Sequence, residues 1–135
     1  MTIEDNKKVA ISLSEAIMAG KWEDVDKLIA DDFTYTGDGR PPMNKQEYIG
    51  FMRNGLSVAF NDMDMEFLRV IGEGDIVAIE YTNKMTQVGP WFGVPATNRR
   101  VVASGQFMRQ IKEGKVVAEW QTTNGAGLMM QLTAE

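Results

Sequence analysis

The chain contains no cysteine and no histidine. Without cysteine there are no disulfides and no thiol nucleophile. Without histidine there is no imidazole acid–base catalysis, and the two absences together remove the usual zinc ligands. Long apolar runs are also missing, and none approaches the ~20 residues of a membrane span. The opening "MTIEDNKKVA" lacks a basic region followed by an apolar stretch, so no secretory signal is expected and a cytoplasmic location fits. Basic charge is scarce: 14 Lys+Arg face 19 Asp+Glu, for a net charge of -5. The short basic stretches "GRPPMNKQ" and "TNRRV" form no stripe, so a nucleic-acid partner is not expected.

What remains is an ordinary globular composition, with 44% hydrophobic and 24% charged residues. A length of 135 residues is most simply one domain, 1–135, large enough to bury a core without metal or disulfide.

Helical signals fill the first third. Val9, Leu13, Ala16 and Ile17 share one face, and Gly20 is a plausible stop. Trp22, Val25, Leu28 and Ile29 predict a second short helix. "DDFTYTGDG" has a β-prone centre, and "PPMNKQEYIGFM" predicts a third helix with Asn44 and Glu47 at capping-box spacing. From Met63 the period changes to two. "MEFLRVIGEGDIVAIEYTNKMTQ" reads as a hairpin turning at Glu73-Gly74, and "RRVVASGQFMRQIKEGKVVAEWQTTN" as another turning at Glu113-Gly114. Helices followed by an antiparallel meander define an α+β architecture.

Alternation divides each strand into faces. A two-residue loop at Glu113-Gly114 sets Ile111 against Val116, Arg109 against Ala118 and Phe107 against Trp120. That places Phe107, Trp120, Thr122 and Asn124 inward and sends Glu119 and Gln121 outward unless a bulge intervenes. In the first hairpin, Leu68 and Val70 join Val77, Ile79, Tyr81, Asn83 and Met85 on the inner side, with Arg69 and Glu80 on the convex side. A register slip of one residue inverts these assignments. The inward surface, aromatic with isolated polar groups at Asn83, Thr122 and Asn124, suits either a ligand pocket or a filled core. Arg109 on that face is expected to snorkel to the rim.

The segments "GPWFGVPATNRRV", "GKVVAEW" and "GLMMQL", in this order and at these distances, resemble the SnoaL-like polyketide cyclases of the NTF2-like superfamily. The resemblance covers nearly the whole chain. It implies a cone: a curved antiparallel sheet wrapped by N-terminal helices around a cavity, with pairing as a homodimer through the outer sheet face. It implies a hydrophobic small-molecule partner, and neither a metal nor an organic cofactor. Activities in this superfamily include aldol cyclisation of polyketides and ketosteroid isomerisation, though some members have no known activity.

In such cyclases an Asp on the strand following this Trp serves as acid/base, its pKa raised by desolvation in an apolar cavity. Here Gln121 follows Trp120, and Asn124 comes four residues after it. An amide donates a hydrogen bond but takes up no proton at ordinary pH. The expectation is therefore an oxyanion stabiliser, Asn124 or Tyr35, with Asp38 in "TGDGR" as a substitute acid. Tyr35, Tyr81, Asn83, Phe107, Trp120 and Thr122 are the expected substrate contacts. Whether the chain is an enzyme, a carrier or sensor of a hydrophobic molecule, or a protein-interaction module stays open at this point.

Overall fold

The computed structural model describes residues 1–135. Helix α1 (Ile3–Ala19) begins in a capping box between Thr2 and Asp5 and ends at Gly20, whose φ of 70° provides the left-handed cap. Helix α2 (Trp22–Leu28) leads into β1 (Ile29–Gly37) and the short β2 (Met43–Asn44). The Asn44–Glu47 capping box is present and opens α3 (Lys45–Gly50), which continues as a π-helical segment (Phe51–Leu56) and α4 (Ser57–Ala59). Strands β3 (Phe60–Glu73), β4 (Ile76–Gln87), β5 (Arg100–Lys112) and β6 (Lys115–Thr123) form the meander, and α5 (Gly125–Thr133) closes the chain.

The six strands make one sheet in the order β2-β1-β6-β5-β4-β3. Only β1 and β6 run parallel; the other neighbours are antiparallel. Helix α1 packs across β3 to β6, so the helices cover one face of an unclosed sheet. The expected α+β architecture is what forms. The inward series of β4 is also as expected, with Val77, Ile79, Tyr81, Asn83 and Met85 all buried.

Two bulges change the faces of the neighbouring strands. The turn at Glu113-Gly114 has both φ values positive, at 52° and 76°, as a two-residue hairpin loop requires. Ile111 pairs with Val116 as expected, but Gln110 then pairs with Ala118, leaving Val117 as an extra residue. Beyond it Arg109 faces Glu119 and Phe107 faces Gln121. The bulge thus reverses the expected orientation of everything from Ala118 to the end of β6. A second bulge at Leu68, between Phe67↔Tyr81 and Arg69↔Glu80, turns Leu68 outward and Phe67 inward.

The α5 segment lies on β5, where the Gln131 side chain clamps the Val102 backbone from both sides, accepting from its N–H at 2.8 Å and donating to its carbonyl at 2.9 Å. Gly105 allows the close pairing of β5 with β6. A Cβ there would lie 2.5 Å from the Thr122 carbonyl oxygen and 3.1 Å from the Tyr81 hydroxyl. Gly105→Ala is expected to lower stability by about 1–3 kcal/mol, read as a shift of the urea unfolding midpoint. An unchanged midpoint would show that the strands separate without cost.

Candidate functional site: a cavity between sheet and helices

Between the concave face and the helices lies a cavity of about 100 Å³. Its apolar wall includes Met18, Met52, Leu56, Met65, Met85 and Phe107, with Leu128 from α5 also in the lining. Ligand pockets commonly span about 300–1,000 Å³, and a dry cavity of about 150 Å³ accepts a benzene ring. This cavity is smaller than either, so a ring-sized ligand would have to widen it or extend through its opening.

Arg40 stands at the opening, lining both the cavity and a groove on the outer face. Its guanidinium carbon lies 4.4 Å from the Phe51 ring centre and 5.3 Å from that of Phe92.

Four polar features interrupt the apolar wall, and three of them are paired within the protein. The first is a relay on neighbouring strands: the Tyr35 hydroxyl donates to Gln121 Oε1 at 3.1 Å, and Gln121 Nε2 donates to the Tyr81 hydroxyl at 2.9 Å. The second is an ion pair beneath it. Arg109 and Glu119 are 3% and 1% exposed, and Arg109 Nε donates to Glu119 Oε1 at 2.5 Å. Nη1 of Arg109 donates to Ala10 O at 2.6 Å and to Ser14 Oγ at 2.7 Å, fastening α1 to the sheet. Tyr48 donates to the Glu119 carboxylate at 3.2 Å. The third is Asp38, whose Oδ1 accepts the Thr123 N–H at 2.8 Å and whose Oδ2 lies 4.0 Å from Arg40.

Burial sets the protonation of these groups. It pushes the Tyr35 phenol well above its ordinary range, and the negative charges of Glu119 and Asp38 add to the shift. Burial also raises Tyr48, followed by the adjacent Glu119 carboxylate, and it raises Tyr81. For Arg109, burial alone would lower the guanidinium, but Glu119 and Tyr48 outweigh it and hold it above its usual value. The tyrosines therefore remain neutral hydrogen-bond donors at physiological pH. Removing either partner of the ion pair would leave an uncompensated buried charge, a loss of about 3–5 kcal/mol.

The sequence model of the SnoaL-like polyketide cyclases matches residues 7–132. The chain belongs to this family. Solved structures share its NTF2-like fold. A SnoaL-like cyclase candidate from Jannaschia sp. CCS1 superposes with a TM-score of 0.89 at 20% identity, over 100% of this chain and 96% of that one. AclR, a hydroxylase candidate from Streptomyces galilaeus, gives 0.86 at 24% identity, over 97% of each chain. IdmH, a polyketide cyclase candidate from Streptomyces antibioticus, gives 0.83 at 23% identity, over 94% of this chain and 97% of that one. At these identities the likeness establishes the fold and not the reaction. No protein with a curated description matches the chain.

Of the residues singled out in the sequence, Tyr35, Tyr81, Asn83 and Phe107 do line this SnoaL-like cavity, with Asp38 at its edge. Three do not. Trp120 and Thr122 point to the outer face, where Trp120 is 39% exposed, because the Val117 bulge shifts the alternation of β6 by one residue. Asn124 is exposed and occupied as the N-cap of α5, its Oδ1 accepting the Gly127 N–H at 2.9 Å, so it is no oxyanion group in the cavity.

The same bulge brings Glu119, Gln121 and Thr123 inward, against expectation. Arg109, expected at the rim, is buried with Glu119. Its presence on the inner face was the signal available in the sequence. A buried guanidinium needs an acid, and setting Glu119 opposite it requires the bulge.

The three tyrosines of the chain all have folded-state pKa values above the ordinary one of about 10. Their contribution to stability is present below the unfolded value and is lost as pH rises through the folded values. Alkaline titration followed by tyrosinate absorbance is expected to show no step near pH 10 until the fold opens, with absorbance and circular dichroism changing together. A tyrosinate step that precedes unfolding would contradict the buried relay.

Proposed function

We propose that the chain binds a hydrophobic carbonyl compound in the cavity and moves a proton on the carbon next to that carbonyl. The observation that carries this reading is the Tyr35–Gln121–Tyr81 relay, a set of neutral donors on an otherwise apolar wall. Neutral donors held in place in a dry site stabilise an enolate oxygen as charge develops on it. None of them accepts a proton from carbon at ordinary pH, because the amide is not basic and the phenols stay protonated.

Of the two carboxylates lining the cavity, Glu119 is held between Arg109 and Tyr48 and acts as an anchor. Asp38 is the better proton acceptor. One of its oxygens is fixed by the Thr123 N–H, while the other is 4.0 Å from its nearest cation. In this scheme the Asp38 carboxylate removes a proton from the α-carbon, the Tyr81 and Gln121 donors hold the enolate oxygen, and Asp38 returns the proton. The same steps underlie isomerisation and, with an internal electrophile, ring closure of a polyketide-like chain.

An amide at Gln121, where the family's acid is expected, supports a second reading in which the cavity carries or senses the ligand without turnover. Solvent-deuterium exchange separates the two. Wild-type protein is expected to speed exchange of the α-protons of an aryl ketone, and Asp38→Asn to reduce that rate by about 10²-fold or more. Binding without exchange would leave the carrier reading.

We also propose that the convex face pairs with a second copy of the chain. Ile71, Met108 and Trp120 are exposed there at 61%, 46% and 39%, around a groove of about 680 Å³. Apolar side chains gathered on one exposed face mark an interaction surface. Light scattering is expected to give twice the chain mass for wild type and the single chain mass for Trp120→Asp. A monomeric wild type would remove this proposal.

A further inference from the structure

The relay accounts for one end of the cavity wall and leaves another polar group unexplained. Asn83 lies on β4 between Met65 of β3 and Ala103 of β5, with Met85 two residues along the same face. It is 4% exposed. Its Nδ2 donates to the thioether of Met18 at 3.5 Å, and its Oδ1 is buried with no protein donor. The orientation of the amide follows from chemistry, since a thioether accepts but never donates. With the nitrogen paired to Met18, the oxygen is the free atom.

Buried polar atoms of native proteins are nearly always paired, and an exception inside a ligand cavity needs a cause. A structural role does not supply one. An aliphatic side chain would fill this apolar position without leaving an acceptor stranded.

We propose that Asn83 Oδ1 accepts a hydrogen bond from a hydroxyl of the ligand, so that the cavity selects a hydroxylated carbonyl compound. The inference rests on the carbonyl reading above and adds the second point of recognition. Tyr81 and Asn83 are alternate residues of one strand, so their positions are about 6.5 Å apart on the same face. A ligand that carries its carbonyl and its hydroxyl at opposite ends of one ring is the simplest compound that could address both side chains. Both side chains line the one cavity, which would have to widen to admit such a compound. The two ends ask for opposite chemistry: an acceptor on the ligand toward the relay, and a donor toward Asn83. A site with a buried acceptor rejects a ligand lacking the donor, because binding then seals that acceptor away from any partner.

Titration calorimetry with three aryl ketones that differ only at the para position tests this. Para-hydroxyacetophenone donates, para-methoxyacetophenone accepts only, and para-methylacetophenone does neither. Wild-type protein is expected to bind the hydroxyl compound about tenfold or more tightly than the methyl compound, with the methoxy compound weakest. Asn83→Leu is expected to bring the hydroxyl and methyl compounds within about twofold of each other.

Equal wild-type affinities for the hydroxyl and methyl compounds overturn the inference, and this comparison requires no variant to fold. A preference that survives in Asn83→Leu overturns it as well. Failure of the underlying carbonyl reading looks different. Either no aryl ketone binds, which removes both proposals, or Tyr81→Phe binds para-methylacetophenone as tightly as wild type does.

Discussion

The pair formed by Arg109 and Glu119 is the constraint around which the concave face is arranged. Both groups are almost wholly removed from water, and neither is tolerable there without the other. Arg109 fixes the position of α1 through Ala10 O and Ser14 Oγ, and its guanidinium carbon sits over the Phe107 ring, 4.3 Å from the centre. Glu119 in turn receives Tyr48 from α3. One ion pair thus joins two helices to two central strands, and the distance between sheet and helices follows from it. A cavity bordered by a fixed electrostatic contact keeps its shape better than one bordered only by adaptable methionines.

That pair also shapes the chemistry above it. With Glu119 committed to Arg109, its negative charge and the surrounding burial keep the three phenols protonated. The wall then offers donors at Gln121 and Tyr81, with Tyr35 holding Gln121 in place, and, further along β4, the lone acceptor of Asn83. Of the two carboxylates that line the cavity, Asp38 has the looser cation contact, 4.0 Å to Arg40 against 2.5 Å between Glu119 and Arg109. The division is between a neutral interior that orients a ligand and a charged edge where a proton can leave.

Much of this was legible from the residues. Helical spacing, the Asn44–Glu47 box, the hairpin at Glu113-Gly114 and the inner face of β4 all follow from period and turn chemistry, and all are present. So is the cavity lining by Tyr35, Tyr81, Asn83 and Phe107. The face of β6 was not legible, because strict alternation cannot reveal an extra residue in a strand. Val117 has no marking side chain: valine suits a regular strand and a bulge alike. The one local conflict was Arg109 on an apolar face. Assigning it to the rim left Glu119 outside, whereas treating it as a buried charge in need of a partner brings Glu119 and Gln121 inward together. The N-cap role of Asn124 was likewise hidden, since the helix "GAGLMMQLT" begins without the usual acidic first turn.

The bulge at Val117 has a consequence for how such a cavity can change over time. Because one surplus residue sets which side of β6 faces the ligand, losing a single codon from that strand would exchange the interior Glu119, Gln121 and Thr123 for Trp120 and Thr122 in one step. A carboxylate-and-amide lining would give way to an indole and a hydroxyl, and Arg109, left buried without its acid, would have to be replaced as well. A one-residue change of length here, with a matching change at Arg109, would therefore rebuild the interior, and a residue-by-residue comparison across the bulge would equate positions that look in opposite directions.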